Sequence, residues 1–194
     1  GVTGIGCGCF IDQYLNIDIF AALHGRATAA ATGLKIASPD RIIFTYQGDG
    51  DCASIGMGGT IHAANRGFPI TVIMVNNTMY GMTGGQMGAT TLIGEKTTTS
   101  PAGRKAHVHG FPVRLPEAMK HMEGAVFLAR VSVSSPGKVT QAKRSLRKAF
   151  ECQMDGRGFS YVEFLSPCVL YHQGDAVDAM AWVRDEAENY YEVG

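Results

Sequence analysis

Three short apolar runs divide the chain into alternating extended and helical segments. They cover residues 42–46 (IIFTY), 70–75 (ITVIMV) and 159–165 (FSYVEFL), and their β-branched and aromatic content predicts buried strands. The glycine-containing segment 55–66 between the first two runs predicts a helix. Because a strand, a helix and a second strand form a βαβ unit, we expect the first two strands to pair in parallel.

The remaining segments complete an α/β pattern. Residues 125–133 favour a further strand, and residues 76–110 show the weak periodicity of a long functional loop. Further helices are predicted over 21–37, which ends before Ser38-Pro39, over 115–123, over the basic amphipathic segment 138–152, and over 175–191. The sequence therefore predicts an α/β fold with a mostly parallel sheet flanked by helices, in which sites lie at the carboxyl ends of the strands.

The composition excludes several classes of protein. The 194 residues suit one domain over 1–194, and 17 acidic against 17 basic residues argue against a nucleic-acid or membrane partner. We expect a cytoplasmic protein, because no apolar run approaches the roughly 20 residues of a membrane span and no signal peptide is present. The five cysteines form no CxxC pair, which disfavours a disulfide scaffold and a zinc site.

Polar loops follow the first two predicted strands, GDGD after the first and NN after the second. A glycine-rich turn before a helix is typical of phosphate sites, yet Asp49 and Asp51 would each repel an anion at about 4 Å by roughly 4 kcal/mol. Both loops emerge at one edge of a parallel sheet, so Asp49 and Asn77 can approach one point and hold Mg²⁺. Asp51 has two interpretations, a cofactor contact or the N-cap of a helix that starts near Ser54.

Four motifs together resemble a known family. GDG followed, after a helix and a strand, by NN is the signature of thiamine diphosphate enzymes, and YGMTGGQ at 80–86, GIGC at 4–7 and HGRA at 24–27 narrow the resemblance. Together they resemble the β subunit of 2-oxoacid:ferredoxin oxidoreductases, in the group that acts on 2-oxoglutarate and 2-oxoisovalerate. The resemblance runs from the first residues to Ser166-Pro167-Cys168 and implies a thiamine diphosphate-binding fold.

The resemblance implies two sets of metal ligands. Asp49, the side chain of Asn77 and the backbone carbonyl of Met79 would hold Mg²⁺. Cys7 and Cys168 would be two ligands of a [4Fe–4S] cluster, which needs four thiolates.

The resemblance also implies the residues that contact cofactor and substrate. His24 and Arg26 would be catalytic, by binding the substrate carboxylate or by donating a proton. The thiamine diphosphate pocket would be lined by Ile5, Gly6, Cys7, Gly8, His24, Gly48, Gly50, Asp51, Gly81, Met82, Thr83, Gly84, Gly85 and Gln86.

The chain departs from the family pattern in three places. The CxxC that the family carries upstream of GIGC is missing. Since the chain starts at Gly1 rather than at methionine, we expect an incomplete or processed chain that lacks an upstream cysteine-containing segment; the alternative is a protein without the cluster. Met82 stands where pyruvate-type relatives have asparagine, and segment 86–94 (QMGATTLIG) differs from the usual SPTTP run. The identity of the 2-oxoacid therefore stays open.

The implied activity is oxidative decarboxylation of a 2-oxoacid to an acyl-coenzyme A, with reduction of ferredoxin. The loops contain no glutamate suited to activate the cofactor, and the resemblance implies that a partner α subunit supplies it, with γ and δ subunits as further partners. Two alternatives remain. One is a non-oxidative thiamine diphosphate-dependent decarboxylase subunit without a cluster, and the other is a non-catalytic metabolite-binding α/β module.

Overall fold

A parallel sheet forms the centre of the computed structural model, which describes residues 1–172 and 174–194. The strands are β1 (Val2–Thr3), β2 (Phe20–Ala21), β3 (Phe44–Gly48), β4 (Thr71–Asn76), β5 (Met79–Tyr80), β6 (Gln86–Met87), β7 (Ala125–Ser132) and β8 (Phe159–Leu165). Six of them form one sheet in the order β2-β1-β3-β4-β8-β7, and every neighbouring pair in it is parallel. Strands β5 and β6 form a separate antiparallel hairpin.

Helices follow most of the sheet strands. They are α1 (Ala27–Ala37), α2 (Met57–Asn65), α3 (Ala106–His109), α4 (Leu115–Met119), α5 (Pro136–Met154), α6 (Ala176–Trp182) and α7 (Glu188–Tyr190). A 3₁₀ helix covers Cys7–Gln13, and π-helical turns cover Gly50–Ile55 and Val183–Ala187. Within the described residues, no helix is both long enough and apolar enough to cross a membrane.

Both faces of the sheet are covered by helices. Successive strand residues point to opposite faces, and on β8 Tyr161 joins the core cluster that contains Ala31 of α1, whereas Val162 packs in a cluster with Ala142 and Ala149 of α5. The predicted α/β fold with a mostly parallel, helix-flanked sheet is therefore confirmed. The strands expected at 70–75, 125–133 and 159–165 form within one residue of the predicted bounds.

Three predicted boundaries are wrong near the site. The helix expected from residue 21 begins at Ala27, because Ala21 and Ala22 pair with the sheet instead, with the Ala22 amide donating to the Thr3 carbonyl at 2.8 Å. The strand expected at 42–46 runs from Phe44 to Gly48, in register with β4. The helix expected near Ser54 begins at Gly50, since Asp49 already has helical dihedral angles (φ −61, ψ −39).

A buried ion pair links the neighbouring strands β7 and β8 of the sheet. Arg130 on β7 and Glu163 on β8 are 3% and 1% exposed and lie 2.9 Å apart, Nε to Oε2. Glu163 also accepts from the Asn76 side chain at 2.7 Å, and Arg130 also pairs with Glu117 at 2.7 Å. Burial raises the pKa of Glu163, and the Arg130 guanidinium opposes that shift.

We therefore expect Arg130→Leu to destabilise the fold by about 3–5 kcal/mol, because the substitution leaves the Glu163 charge buried without a partner. The free energy of unfolding in urea measures this loss. Arg184→Leu is the matched control, since it breaks the exposed Arg184–Asp185 pair. Equal stability of the two variants would contradict the assignment of this network.

Candidate functional site

A cavity of about 590 Å³ opens at the carboxyl edge of the sheet, where the loops after β3, β4 and β8 meet. Such edges are where α/β folds place their ligands. Most of the predicted site residues line this cavity: Ile5, Gly6, Cys7, Gly8, His24, Gly48, Asp49, Gly50, Asp51, Asn77, Met79, Gly81, Met82, Thr83 and Cys168. The structure therefore brings residues from five separated segments to one place.

Four predicted residues lie outside the lining of the cavity: Arg26, Gly84, Gly85 and Gln86. The Arg26 side chain is exposed at the start of α1. Both polar atoms of the Gln86 side chain form hydrogen bonds with Thr83. The amide nitrogen donates to the Thr83 carbonyl and the oxygen accepts from the Thr83 hydroxyl, both at 2.7 Å. The roles expected of these four residues stay predictions.

Asp49 is a buried carboxylate with an unusual environment. It is 3% exposed and accepts a hydrogen bond from the Thr90 hydroxyl. Burial raises the pKa of Asp49 to about 7. No arginine or lysine within residues 1–172 and 174–194 forms an ion pair with it. A buried carboxylate with no protein cation is costly unless a bound cation compensates it.

The second half of the predicted magnesium site is a strained turn after β4. Thr78 has φ 65, a conformation that costs a β-branched residue roughly 1–3 kcal/mol. Hydrogen bonds hold the turn: the Thr78 amide donates to the Asn76 side chain at 3.1 Å, and the Met79 amide donates to the Asn77 side-chain oxygen at 3.3 Å. Strain of this kind commonly marks a functional site.

Gly88 lies where the two halves meet. A Cβ on Gly88 would be 3.6 Å from Asp49 Oδ2 and 3.6 Å from the Met79 Cα. The sequence-based expectation that the loops after the first two strands approach one point agrees with this geometry. Carboxylate, amide and carbonyl oxygens are the donors that Mg²⁺ prefers, so the residues present fit this ion.

Asp51 joins three segments around the cavity. Its Oδ1 accepts from the Gly25 amide at 2.6 Å and the Ile5 amide at 3.3 Å, and it lies 2.6 Å from His24 Nδ1. Its Oδ2 accepts from the Gln47 side chain at 2.5 Å. The N-cap interpretation is wrong, because Asp51 lies inside a π-helical turn and makes no capping bond. A cofactor contact by Asp51 stays a prediction.

The Asp51 contact also orients His24. A carboxylate beside Nδ1 favours the proton on that nitrogen, which leaves Nε2 for a ligand. The His24 side chain is 40% exposed and lines the cavity. The arrangement allows His24 to hold or transfer a proton at Nε2.

Cys7 and Cys168 approach each other across Gly81. Their sulfur atoms lie 3.8 Å and 3.1 Å from the position that a Cβ on Gly81 would occupy. Burial, and after it the nearby Cys168, raise the pKa of Cys7. In the part of the chain that the structure describes, no group of three or more His, Cys, Asp or Glu side chains could hold a metal. These two thiols can therefore be only part of a cluster site.

Sequence patterns did not predict the residues that support the loops after β3 and β4. The Thr91 hydroxyl donates to the Thr78 carbonyl, and the Arg104 guanidinium donates to the Thr91 carbonyl at 2.8 Å. The Tyr191 hydroxyl donates to the Thr90 carbonyl at 2.6 Å. The adjacent threonines in the long loop are a weak signal. Nothing local in the sequence connects Tyr191 to this site.

Comparison with known proteins assigns the chain to a family. Residues 4–164 match the family described as thiamine pyrophosphate enzyme, C-terminal TPP binding domain, and the chain belongs to that family. Thiamine pyrophosphate is another name for thiamine diphosphate.

Individual relatives are more specific. Ketoisovalerate oxidoreductase subunit VorA of Methanothermobacter thermautotrophicus is 43% identical over 192 residues, which is 99% of this chain and 40% of that protein. The 2-oxoglutarate synthase subunit KorB of Methanocaldococcus jannaschii is 39% identical over 88% of this chain and 59% of its own length.

A solved structure agrees with these relatives. The 2-oxoglutarate:ferredoxin oxidoreductase from Magnetococcus marinus with 2-oxoglutarate, coenzyme A and succinyl-CoA bound superposes with a TM-score of 0.81 at 30% identity, over 95% of this chain and 58% of that chain. The resemblance to 2-oxoacid:ferredoxin oxidoreductase β subunits is thus confirmed. The chain spans between 40% and 59% of the length of these proteins.

Proposed function

We propose that this chain is the thiamine diphosphate- and Mg²⁺-binding part of a ferredoxin-dependent 2-oxoacid oxidoreductase. The reaction would be oxidative decarboxylation of a 2-oxoacid to an acyl-coenzyme A, with ferredoxin as the electron acceptor. The observation that carries the proposal is Asp49, a buried carboxylate that forms no ion pair with any described arginine or lysine, at the carboxyl edge of a thiamine diphosphate-family sheet. The names of the relatives favour this reaction over non-oxidative decarboxylation.

The metal would link this chain to the cofactor. Asp49, the Asn77 side chain and the Met79 carbonyl would hold Mg²⁺, and the ion would supply the positive charge that offsets the charge of the diphosphate. Thiamine diphosphate, when bound, supplies the nucleophilic carbon and the electron sink that decarboxylation requires. With a cation held by Asp49, the repulsion between the GDGD carboxylates and the diphosphate would be offset.

His24 is the proposed proton-handling residue of this half of the site. The Asp51 carboxylate lies 2.6 Å from Nδ1 of His24, which leaves Nε2 of His24 available for acid–base chemistry. Arg26 stays a predicted partner for the substrate carboxylate, although its exposed side chain would have to reach the reaction from outside the cavity lining.

The cavity walls favour an apolar substrate chain. Phe10, Ile11 and Leu15 line it, and among its described lining residues there is no arginine or lysine to pair with a second carboxylate. We therefore propose a branched or other apolar 2-oxoacid in preference to 2-oxoglutarate.

Electron transfer requires ligands beyond this chain. Cys7 and Cys168 would supply two thiolates of a [4Fe–4S] cluster, and we propose that a cysteine-containing segment preceding Gly1 in the full protein supplies the others. Until those ligands are added, the described residues alone do not fit the cluster.

A partner α subunit would complete the site in the cytoplasm. Large apolar side chains are exposed around the cavity, with Tyr14 82%, Val169 83% and Leu170 71% exposed. Patches of this kind commonly mark protein interfaces. The partner would also provide the glutamate that activates the cofactor, so the isolated chain should bind cofactor weakly and turn over no substrate.

The test is catalysis by the full-length protein in its assembly, purified without oxygen. We expect reduction of ferredoxin that depends on both coenzyme A and a 2-oxoacid, faster with 2-oxoisovalerate than with 2-oxoglutarate, and the visible absorbance of an iron–sulfur cluster. Release of CO₂ without ferredoxin reduction, from protein that lacks visible absorbance, would support the non-oxidative alternative. Faster turnover of 2-oxoglutarate would overturn the substrate assignment alone.

A further inference from the structure

Two adjacent threonines touch both halves of the proposed metal site. The Thr90 hydroxyl donates to Asp49 Oδ2, and the Thr91 hydroxyl donates to the carbonyl of Thr78, the residue between Asn77 and Met79. Both threonines are fully buried. One dipeptide therefore contacts the loop after β3 and the loop after β4.

A buried arginine fixes the backbone beside these threonines. Arg104 is 5% exposed, and its Nη1 donates to the carbonyls of Gly88 at 3.2 Å, Ala89 at 3.0 Å and Thr91 at 2.8 Å. Its Nε and Nη2 donate to further carbonyls at residues 109–111. A guanidinium offers its donors in a rigid planar arrangement, so Arg104 fixes the path of the loop that carries both hydroxyls.

The C-terminal segment supplies a second anchor. The Tyr191 hydroxyl donates to the Thr90 carbonyl at 2.6 Å, across 101 positions of sequence, and the Tyr191 side chain is fully buried. Thr90 is thus held at its carbonyl by Tyr191 while its hydroxyl reaches Asp49. The C-terminal helices are connected to the proposed metal site through one residue.

We propose that Thr90 and Thr91 are positioning residues for the metal, with Arg104 and Tyr191 holding their backbone. The proposal rests on the proposed function, since it takes Asp49, Asn77 and Met79 as the Mg²⁺ ligands. Thr90 donates to Asp49 Oδ2, which would leave Oδ1 available as a metal ligand. Thr91 holds the carbonyl of the strained Thr78 and so fixes the peptides on either side of it.

Valine substitutions test the two hydroxyls, because valine keeps the branched shape of threonine and removes the donor. We expect Thr90→Val and Thr91→Val each to weaken Mg²⁺ binding by about 10–100-fold, the usual range for groups that orient a metal ligand. Thr90→Ser, which keeps a hydroxyl, should restore most of the affinity. Thr97→Val is the matched control, because Thr97 lies buried in the same loop and pairs with Ser100 instead.

Tyr161→Phe is the matched control for Tyr191→Phe. Tyr191→Phe and Tyr161→Phe each remove one hydroxyl from a fully buried tyrosine, but the Tyr161 hydroxyl meets Met74 Sδ in the core. A purely structural role would lower the melting temperature of both variants and leave their Mg²⁺ affinity alike. We expect only Tyr191→Phe to lower Mg²⁺ affinity as well.

The measurement is calorimetric titration of Mg²⁺ into the full-length protein in its assembly with saturating thiamine diphosphate, which reads binding without catalysis. Binding by Thr90→Val and Thr91→Val as tight as that by Thr97→Val would overturn this inference and leave the proposed function standing. If the wild-type protein itself took up no Mg²⁺, both would be overturned.

Discussion

Asp49→Ala should abolish Mg²⁺-dependent binding of thiamine diphosphate. Groups that merely orient a metal ligand are worth about 10–100-fold in affinity, so loss of a direct ligand should weaken binding by more than about 100-fold. The metal-free variant should be at least as stable as the wild type, because the substitution removes a buried carboxylate that has no ion-pair partner among residues 1–172 and 174–194.

Calorimetry with and without Mg²⁺ measures the first effect, and thermal unfolding of the metal-free protein measures the second. Asp40→Ala is the matched control, since Asp40 is exposed and lies outside the cavity. Unchanged cofactor affinity in Asp49→Ala would show that the metal assignment is wrong.

Asp51→Asn should lower the free energy of unfolding and loosen the segments that line the cavity. The Asp51 oxygens accept from the Ile5 and Gly25 amides, from the Gln47 side chain and from the His24 ring. An asparagine amide group would face donors in either orientation, so at least one buried donor loses its acceptor. We expect a loss of about 2–4 kcal/mol in the free energy of unfolding, as for a broken charge-assisted hydrogen-bond group.

Hydrogen exchange separates this local effect from general destabilisation. The Ile5 and Gly25 amides should exchange faster in Asp51→Asn by a larger factor than the amides of β8, whose exchange follows the global free energy of unfolding. Asp40→Asn provides a surface control for the same chemical change. Unchanged protection of Ile5 and Gly25 would refute the proposed anchoring role of Asp51.

The motifs found in the sequence are neighbours because their glycines leave room for one another. The Asp51 carboxylate fills the space that a Cβ on Gly4 would take, and the Tyr80 ring fills the space beside Gly50. The GIGC, GDGD and YGMTGGQ motifs therefore pack against one another, and together they predict the position of the cavity. Local patterns also sufficed for the buried strands, whose apolar runs are short and rich in β-branched and aromatic residues.

What the sequence did not predict depends on contacts between distant residues. The start of α1 at Ala27 follows from pairing of Ala21 with β1, which no local helix propensity records. The environment of the Asp51 carboxylate depends on the backbone amides of Ile5 and Gly25, which donate hydrogen bonds to it. The contact of Tyr191 with Thr90 spans 101 positions, and it is set by packing of the C-terminal helices rather than by any motif.

The proposed function requires that this chain bind thiamine diphosphate through a cation held by Asp49 and the Asn77–Met79 turn. Its most direct test is calorimetric titration of thiamine diphosphate into the wild-type full-length assembly, once with Mg²⁺ and once with a chelator. We expect saturable binding at one site per chain with Mg²⁺ and none with the chelator. Binding of equal strength in both conditions, or no binding by folded protein with Mg²⁺, would contradict it.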